Sequence, residues 1–394
     1  MSLIQEKIAQ AVGILKELDM PCWLTFVRES GMNGDPVMPF LAPAHVTWHS
    51  AFFVMADGEA HAIVGQYDRK TIEDTGAYRQ VDAYVQGAKQ PLLDFLRSRN
   101  PSSIAINYSQ DSEVCDGLTH GMYLTLRAWL EEIGFENRLV SSERLISALR
   151  ARKTAEELAR ITVAIGLTEN IFARVGTFLA PGVTEREVAD FVATLVREDR
   201  LDLAWEAGTC PSVFAGPETA GAHYSPTGRA VERGHIVNMD FGIKHHDYCA
   251  DLQRTFYILR EGESIAPAEV QRGFDTIVKA IEAARKAIRP GVPGQSVDAV
   301  ARTLITGAGY LEFPHALGHQ VGRYAHDGTA ILGPAWEKYA RRPFVPIEAG
   351  MVFTIEPRLT VPGYGIATVE EMVVVTPTGA EFLSGPQTDL ILAR

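Results

Sequence analysis

A short motif occurs twice in the second half of this chain and limits what the chain can fold into. Pro181-Gly182-Val183 and Pro290-Gly291-Val292 lie 109 positions apart, each between two segments with apolar residues at helical spacing. An apolar segment that carries an acid follows each copy about 60 residues later. Because order and spacing agree, we interpret the copies as an internal duplication, the alternative being a common helix–turn–helix connector used twice. The duplication predicts an α/β domain with pseudo-twofold symmetry and a site between its halves.

The first 150 residues predict a separate α/β domain, so we expect domains at 1–150 and 151–394. Thr154 and Glu157 fit a capping box that would begin a long helix directly after the boundary. The N-terminal domain is predicted from alternating strand and helix patterns. Its predicted strands are Cys22–Val27, Ala51–Met55, Ala60–Val64 and Ser103–Asn107, and its predicted helices are Ile4–Leu18, Lys89–Ser98 and Thr119–Ile133.

Composition excludes several classes of protein. The chain has 394 residues, of which 46% are hydrophobic, and a formal net charge of −12, which argues against a general nucleic-acid binder. No apolar run approaches the ~18–20 residues of a membrane span, and the N-terminus has the pattern of a surface helix rather than a signal peptide. The four cysteines are far apart and form no CxxC pair. We therefore expect a reduced, cytoplasmic protein that does not contact a membrane.

Acidic residues occur within the apolar, strand-like segments of the second half. Ile236–Gly242 contains Asp240, and Tyr248–Tyr257 contains Asp251. A hairpin with its loop at Lys244–Asp247 would bring the two acids together. For a lone pair, turn or edge acids would be the simpler interpretation; the other residues of the set favour a site.

Three histidines and three more acids follow in short apolar or glycine-marked segments. His315, His319 and His326 lie within twelve residues among several glycines, which favours a functional cluster over structural histidines. Glu356 ends the apolar strand that starts at Met351, and a buried acid there needs a cation. Glu370 and Glu371 interrupt a β-branched strand. Neighbouring strand residues face opposite ways, so one of the two should reach the site, and periodicity does not decide which.

Five of these residues form an oxygen-rich ligand set of four carboxylates and one imidazole. They are Asp240, Asp251, His319, Glu356 and one of Glu370 and Glu371. Such a set suits two divalent ions, with Mn favoured and Co, Zn or Fe as alternatives, better than a structural zinc bound by Cys and His. Two divalent ions would also neutralise four carboxylates that could not otherwise stay ionised together in one cleft. We therefore predict a dinuclear metal site.

In this order, the segments resemble the creatinase/prolidase family of pita-bread metallopeptidases, which includes aminopeptidase P, prolidase and methionine aminopeptidase. The resemblance spans about residues 150–394 and, more loosely, the N-terminal domain. Its carriers are His223-Tyr224, Asp240-Phe241-Gly242, Tyr248-x-x-Asp251-x-x-Arg254-Thr255-Phe256, His315-x-x-Gly318-His319-x-x-Gly322 with His326-Asp327, Thr354-x-Glu356-Pro357, and Glu370 before Val375-Thr376.

The resemblance implies a fold, a ligand set and an activity. The implied fold is a small creatinase-like N-terminal α/β domain followed by a pseudo-twofold pita-bread domain. The implied metal ligands are Asp240, Asp251, His319, Glu356 and Glu370. The implied activity is hydrolysis of the amide bond in N-terminal Xaa-Pro peptides, as in a dipeptidase or aminopeptidase P, by a homodimer.

The resemblance also implies roles for residues beyond the ligands. Glu356 would accept and donate the proton of the attacking water, whose pKa two cations lower. His223 and His326 would face the substrate and stabilise the oxyanion, and His315 would lie at the cleft wall. Arg342, or its neighbour Arg341, lies where prolidases often carry an arginine that grips a substrate carboxylate; the alternative is a solvated basic turn.

Two positions depart from the family pattern and keep other functions open. Thr368 stands where the family often has arginine, and Arg358 where it usually has glycine. These departures favour, as an alternative, a hydrolase or lyase of a small non-peptide amide, similar to ectoine hydrolases. A non-catalytic binding module is a further alternative, but such relatives usually lose ligands, and this chain has all five.

Overall fold

Six strands in the first part of the chain form a mixed sheet with helices on both faces. The structure is a computed structural model that describes residues 2–218 and 224–394, and the chain divides into two units, Met1–Arg150 and Ala151–Arg394. The strands of the first unit are β1 Cys22–Val27, β2 Ser50–Met55, β3 Ala60–Gly65, β4 Gln80–Tyr84, β5 Ile104–Ile106 and β6 Leu139–Ser141, and its helices are α1 Leu3–Glu17, α2 Met38–Leu41, α3 Arg69–Glu73, α4 Lys89–Arg99, α5 His120–Glu131 and α6 Glu143–Ala151. The sheet order is β4-β3-β2-β1-β5-β6.

The side chains of β1, which point alternately to the two faces of the sheet, show why helices must cover both faces. Cys22, Leu24 and Phe26 pack in one apolar cluster with α4 and α5, whereas Trp23 and Val27 pack in a second cluster with α1. Successive side chains point to opposite faces, so a strand buried on both faces has no polar alternation. The strands and helices predicted for this unit are confirmed, with boundaries that differ by at most two residues.

The second unit contains four long helices and a series of short strands. The capping box that begins its first helix is confirmed: Glu157 N–H donates to Thr154 Oγ1 at 3.3 Å, and Thr154 N–H donates to Glu157 Oε2 at 2.8 Å. The helices are α7 Ala155–Phe178, α8 Glu185–Glu198, α9 Ala268–Ala287 and α10 Gly294–Gly307. The strands are β7 Asp202–Leu203, β8 Ser212–Ala215, β9 Ile236–Phe241, β10 Ile243–His245, β11 Tyr248–Cys249, β12 Leu252–Ile258, β13 Gly318–His319, β14 Ile331–Leu332, β15 Val352–Ile355, β16 Arg358–Val361, β17 Gly365–Thr368, β18 Glu371–Val375, β19 Ala380–Phe382 and β20 Ile391–Ala393.

The two Pro-Gly-Val motifs occupy equivalent turns, one between α7 and α8 and the other between α9 and α10. Gly182 and Gly291 have positive φ values of 92° and 88°, which glycine adopts without steric cost. Gly182 N–H donates to Val231 O at 2.8 Å, and Gly291 N–H donates to Ile347 O at 2.8 Å. The two motifs therefore make the same backbone contact with a later segment.

The same spacing separates each contacted residue from an acid of the site. Asp240 lies nine positions after Val231, and Glu356 lies nine positions after Ile347. Asp240 is on β9 and Glu356 follows β15, so the two acids occupy equivalent places in the two halves. The predicted fold class, an N-terminal α/β domain and a C-terminal pseudo-twofold pita-bread domain, is confirmed.

Two single β-bridges connect three of the sheets of the second unit. One sheet has the order β20-β12-β9-β8 and another the order β15-β18-β19. The bridge between Gln253 and Glu370 connects these two sheets, and the bridge between Gln320 and Phe353 adds the β13–β14 pair. An apolar core made by α9, α10 and the strands of the second half lies beneath, and includes Phe274, Ile277, Val297 and Phe353.

No helix in the described residues is long and apolar enough to span a bilayer. The four cysteines are buried, and all are free thiols.

A buried amide in the first unit gives a test of this fold. Asn107 is 1% exposed; it accepts from Trp23 Nε1 at 2.7 Å and donates to Asp35 Oδ2 at 2.7 Å. Asn107→Ala should lower the free energy of unfolding by about 3 kcal/mol, because a buried donor and a buried carboxyl lose their partner. Urea denaturation of the full chain measures the change. The exposed Asn137→Ala is the control, and equal denaturation midpoints for the two variants would contradict this account.

Candidate metal centre

Asp240 and Asp251 reach one cavity from neighbouring strands. Asp240 lies on β9 opposite Gln253 of β12, and Asp251 directly precedes β12. Both aspartates line a cavity of about 240 Å³. The structure thus brings together the two acids that the sequence placed on one hairpin.

The turn of this hairpin is shorter than the sequence predicted. Lys244 pairs with Cys249 and is part of β10, so the predicted loop Lys244–Asp247 is partly strand. Only His246 and Asp247 form the turn, with φ values of 44° and 68°. Two consecutive residues with positive φ make the tight turn whose twist matches that of paired strands, although neither residue is glycine.

His319 lies at the centre of the acidic group. Its Nε2 atom is 3.4 Å from Glu356 Oε1, 3.7 Å from Asp251 Oδ2 and 3.9 Å from Glu370 Oε1. Its Nδ1 atom is 3.3 Å from Gln320 O. A backbone carbonyl at Nδ1 favours the tautomer that leaves the Nε2 lone pair for a ligand.

Glu356 enters the cavity from the end of β15. Its backbone N–H donates to Leu317 O at 2.7 Å, next to the short strand that carries His319. Gln253 Nε2 donates to Glu356 Oε2 at 3.3 Å, so one carboxylate oxygen is held while Oε1 lies beside His319.

Glu370 and Glu371 face opposite sides of their strand, as alternation requires. Glu370 lines the cavity. Glu371 is turned away and makes a bidentate ion pair with Arg254, with both N–O distances 3.2 Å. It also accepts from the backbone N–H of Gln387 at 2.8 Å. Geometry therefore favours Glu370 as the ligand and gives Glu371 a structural ion pair.

Burial strongly opposes the ionisation of the four carboxyls of the cavity, and neighbouring acids add to this for three of them. Burial raises the pKa of Asp240 to about 7, and burial together with the charges of Asp240 and Glu356 raises the pKa of Asp251 well above its usual range. The pKa of Glu356 and that of Glu370 are also raised well above normal, first by burial and then by neighbouring acids. Without a cation, this group would hold protons at neutral pH.

A divalent cation fits the residues that are present. Asp240 Oδ1 and Glu370 Oε1 are buried and have no hydrogen-bond partner in the described part of the chain. Asp251, His319 and Glu370 offer ligand atoms that all lie within 4.8 Å of one another. Buried anionic oxygens without donors are costly, and a cation is the partner that removes this cost.

Several residues of the cavity had no distinct signal in the sequence. Trp205, Glu206, Ser212 and Ala325 line it together with the acids and histidines. Trp205 and Glu206 lie in an irregular turn after β7, where no periodicity points to a site. Gln253 was also missed, although strand alternation places it on the same face as Asp251.

The other predicted site residues differ in where the structure places them. His326 lines the cavity, with its ring centroid 4.1 Å from that of His319. His315 and Arg342 do not occur among the described residues that line it; His315 is largely buried near Phe313, and Arg342 lies on a short 3-10 turn. His223 lies outside the described residues. The roles assigned to these three residues stay predictions.

The two departures from the family pattern turn out to be neighbours. Arg358 of β16 pairs directly with Thr368 of β17. The Thr368 hydroxyl donates to Gln253 Oε1 at 3.2 Å. The Arg358 guanidinium is half-buried, burial lowers its pKa, and it has no hydrogen bond or ion pair with any described residue.

The chain is similar to a known family of enzymes. Residues 159–377, more than half of the chain, match the model of metallopeptidase family M24. An uncharacterized peptidase of Staphylococcus saprophyticus is 32% identical over 244 residues, covering 62% of this chain and 65% of that protein. An uncharacterized peptidase of Staphylococcus aureus is 31% identical over 240 residues, covering 61% and 64%. The chain thus spans less than two thirds of the length of these relatives.

Solved structures with the same fold cover the whole chain. The Xaa-Pro dipeptidase of Bacillus anthracis has a TM-score of 0.74 at 21% identity and covers 99% of both chains. The X-Pro aminopeptidase of Thermotoga maritima has a TM-score of 0.69 at 23% identity, covering 98% of this chain and 99% of that one. At these identities the similarity establishes the fold alone.

The matched residues and the acidic cavity together define a metallopeptidase fold with a metal-type donor set. The chain belongs to metallopeptidase family M24. The family membership predicted from the sequence is confirmed.

The raised pKa values predict how stability depends on pH and metal. A carboxyl whose pKa is raised in the folded state stabilises the fold while it is protonated, and this contribution is lost as pH rises through the raised value. Metal-stripped protein should therefore lose about 1–2 kcal/mol of stability between pH 6.5 and 8.5, a window that lies above the unfolded-state pKa of every carboxyl. Mn²⁺ should restore more stability at pH 8.5 than at pH 6.5.

Melting temperatures of stripped and Mn²⁺-loaded protein across this window measure both effects. Glu370→Gln is the matched control, because it removes one acid of the group at nearly constant volume. The stripped variant should lose less stability over the same window. Parallel curves for stripped and loaded wild-type protein would refute the site.

Proposed function

We propose that this chain is a dinuclear metal-dependent hydrolase that cleaves the amide bond of N-terminal Xaa-Pro peptides. The observation that carries the proposal is the convergence of Asp240, Asp251, His319, Glu356 and Glu370 on one buried cavity. Membership of metallopeptidase family M24 supports a peptide amide as substrate. Structural similarity to Xaa-Pro dipeptidases and to an X-Pro aminopeptidase supports proline after the scissile bond.

The five side chains would hold the two ions. When bound, the ions supply Lewis acidity and lower the pKa of a water molecule towards neutrality. Mn is the favoured metal, with Co, Zn or Fe as alternatives, since an oxygen-rich set with one imidazole accepts each of them.

Glu356 is suited to move the proton of the reaction. Its Oε2 is held by Gln253, and its Oε1 points to the centre of the cavity beside His319. A carboxylate beside the attacking water could accept its proton and return it to the leaving nitrogen.

Residues of the cavity wall would hold the substrate. His326 lines the cavity against the His319 ring and can donate to the carbonyl oxygen as negative charge develops on it. His223, as predicted from the resemblance, would act beside it. A cavity of about 240 Å³ is small for a ligand pocket, which favours a short peptide over a long one.

A second candidate function follows from Arg358. Its half-buried guanidinium has no hydrogen bond or ion pair with any described residue, and burial lowers its pKa, so an anion beside it would be favourable. A small acidic amide that is not a peptide could provide the missing anion on the same scaffold. This observation supports the alternative function, an ectoine hydrolase-like reaction on a small non-peptide amide.

A ligand substitution tests the metal assignment. Asp251→Asn should lower kcat/KM for an Xaa-Pro substrate with Mn²⁺ by about 10³-fold or more, because one anionic ligand is lost at constant size. Circular dichroism should show a folded protein. Asp247→Asn is the matched control, since Asp247 lies on the same hairpin but is mostly exposed and faces Arg323. Wild-type activity in Asp251→Asn would refute the assignment.

A substrate series tests the specificity. The Mn²⁺-loaded protein is assayed with Xaa-Pro dipeptides, Xaa-Pro-Yaa tripeptides, matched Xaa-Ala peptides and small acidic amides. We expect the Xaa-Pro dipeptide to have the highest kcat/KM, at least about tenfold above that of Xaa-Ala. A pocket shaped for the proline ring makes fewer contacts with the smaller alanine side chain. Preference for an acidic non-peptide amide would replace the proposal with its alternative.

A further inference from the structure

We propose that Thr368 and Gln253 form a positioning pair that aims one of the acids, Glu356, at the metals. The inference rests on the metal site proposed above, but concerns residues outside the ligand set. Neither Thr368 nor Gln253 can serve as a strong metal ligand beside four carboxylates and an imidazole. Both are nonetheless almost fully buried next to the cavity, 3% and 4% exposed.

The backbone places Gln253 between acids that come from different parts of the chain. It pairs with Asp240 across β9 and β12, and its carbonyl accepts from Glu370 N–H at 3.1 Å. The Gln253 bridge to Glu370 is also the junction between two sheets. A side chain at this position can therefore reach ligands on both sides of the junction.

The amide of Gln253 has only one satisfactory orientation. Its Nε2 donates to Glu356 Oε2 at 3.3 Å. Ionised carboxylates only accept, so the amide nitrogen must face them. Its oxygen then faces away and accepts from the Thr368 hydroxyl at 3.2 Å.

This orientation leaves the opposite carboxylate oxygens for the metals. With Oε2 held, Glu356 presents Oε1, which lies 3.4 Å from His319 Nε2. Glu370 Oε1 is likewise buried without a hydrogen-bond partner among the described residues and lies 3.9 Å from the same nitrogen. The neutral amide of Gln253 thus directs the Glu356 carboxylate without cancelling its charge.

Thr368 is held by contacts that do not involve its hydroxyl. Its carbonyl accepts from Asn238 Nδ2 and from Thr255 Oγ1, each at 2.6 Å, and its N–H donates to Thr255 Oγ1 at 3.2 Å. The backbone is therefore fixed, and the hydroxyl can be removed without releasing it. This separates a positioning role from a purely structural one.

The test measures Mn²⁺ affinity by titration calorimetry in the full-length protein. Thr368→Val should weaken Mn²⁺ binding at least about tenfold, as substitutions of residues that orient metal ligands typically do. Thr368→Ser keeps the hydroxyl and should stay within about threefold of wild type. Thr276→Val is the matched control, because it removes a buried threonine hydroxyl on α9 that bonds only a helix carbonyl.

A second variant links the two residues. Gln253→Met removes the amide at similar volume and should weaken Mn²⁺ binding as much as Thr368→Val does. Both substitutions break the same hydrogen-bonded chain from Thr368 through Gln253 to Glu356. The double variant should therefore bind Mn²⁺ only slightly more weakly than either single variant. Melting of the metal-free variants checks folding, and Gln253→Met carries the test if Thr368→Val does not fold.

The outcomes separate this inference from the proposed function. Wild-type Mn²⁺ affinity in Thr368→Val, equal losses in the Ser and Val variants, or additive losses in the double variant would each overturn the positioning pair, even with Xaa-Pro cleavage intact. Mn²⁺ binding with the expected losses but without Xaa-Pro cleavage would overturn the proposed substrate and keep the pair. A wild-type protein that binds no Mn²⁺ would overturn both.

Discussion

Burial of four carboxyls in one cavity is the constraint on which the second unit depends. Asp240, Asp251, Glu356 and Glu370 lie in one cavity, and each has its pKa raised first by burial. Such a group can be neutral by binding protons or balanced by binding cations, and these two states differ in what the site can do. Metal binding, proton affinity and stability are therefore aspects of one equilibrium in this protein.

The acids are held in this unfavourable arrangement by contacts made elsewhere. Arg254 illustrates this: its guanidinium pairs with Glu371 and donates to the carbonyl of Glu370 at 2.9 Å, so it fixes the strand without neutralising the ligand carboxylate. The backbone bonds around Thr368 act in a similar way. Arg254 thus anchors the strand through the Glu370 backbone and neutralises Glu371 instead of Glu370. The negative charge of Glu370 stays where a divalent ion would bind.

The sequence predicted much of this arrangement because strand and helix periodicities are local. The acidic strands, the capping box at Thr154 and the repeated Pro-Gly-Val turns all follow from neighbouring residues. Periodicity could not choose between Glu370 and Glu371, because the choice depends on Arg254, more than a hundred positions away. The same holds for Gln253, whose function lies in contacts with Thr368 and Glu356 across a sheet junction. Trp205 and Glu206 lie in an irregular turn that tertiary contacts alone bring to the cavity.

The matched spacers of the two halves restrict how this chain can vary in length. Nine positions separate Val231 from Asp240 and Ile347 from Glu356, and both spacers end in a strand. Removing one residue from such a spacer would turn the carboxylate to the opposite face and bring Phe241 or Pro357 to its position instead. Insertions and deletions accepted during divergence should therefore fall outside these two spacers, and the register of each half would be inherited unchanged.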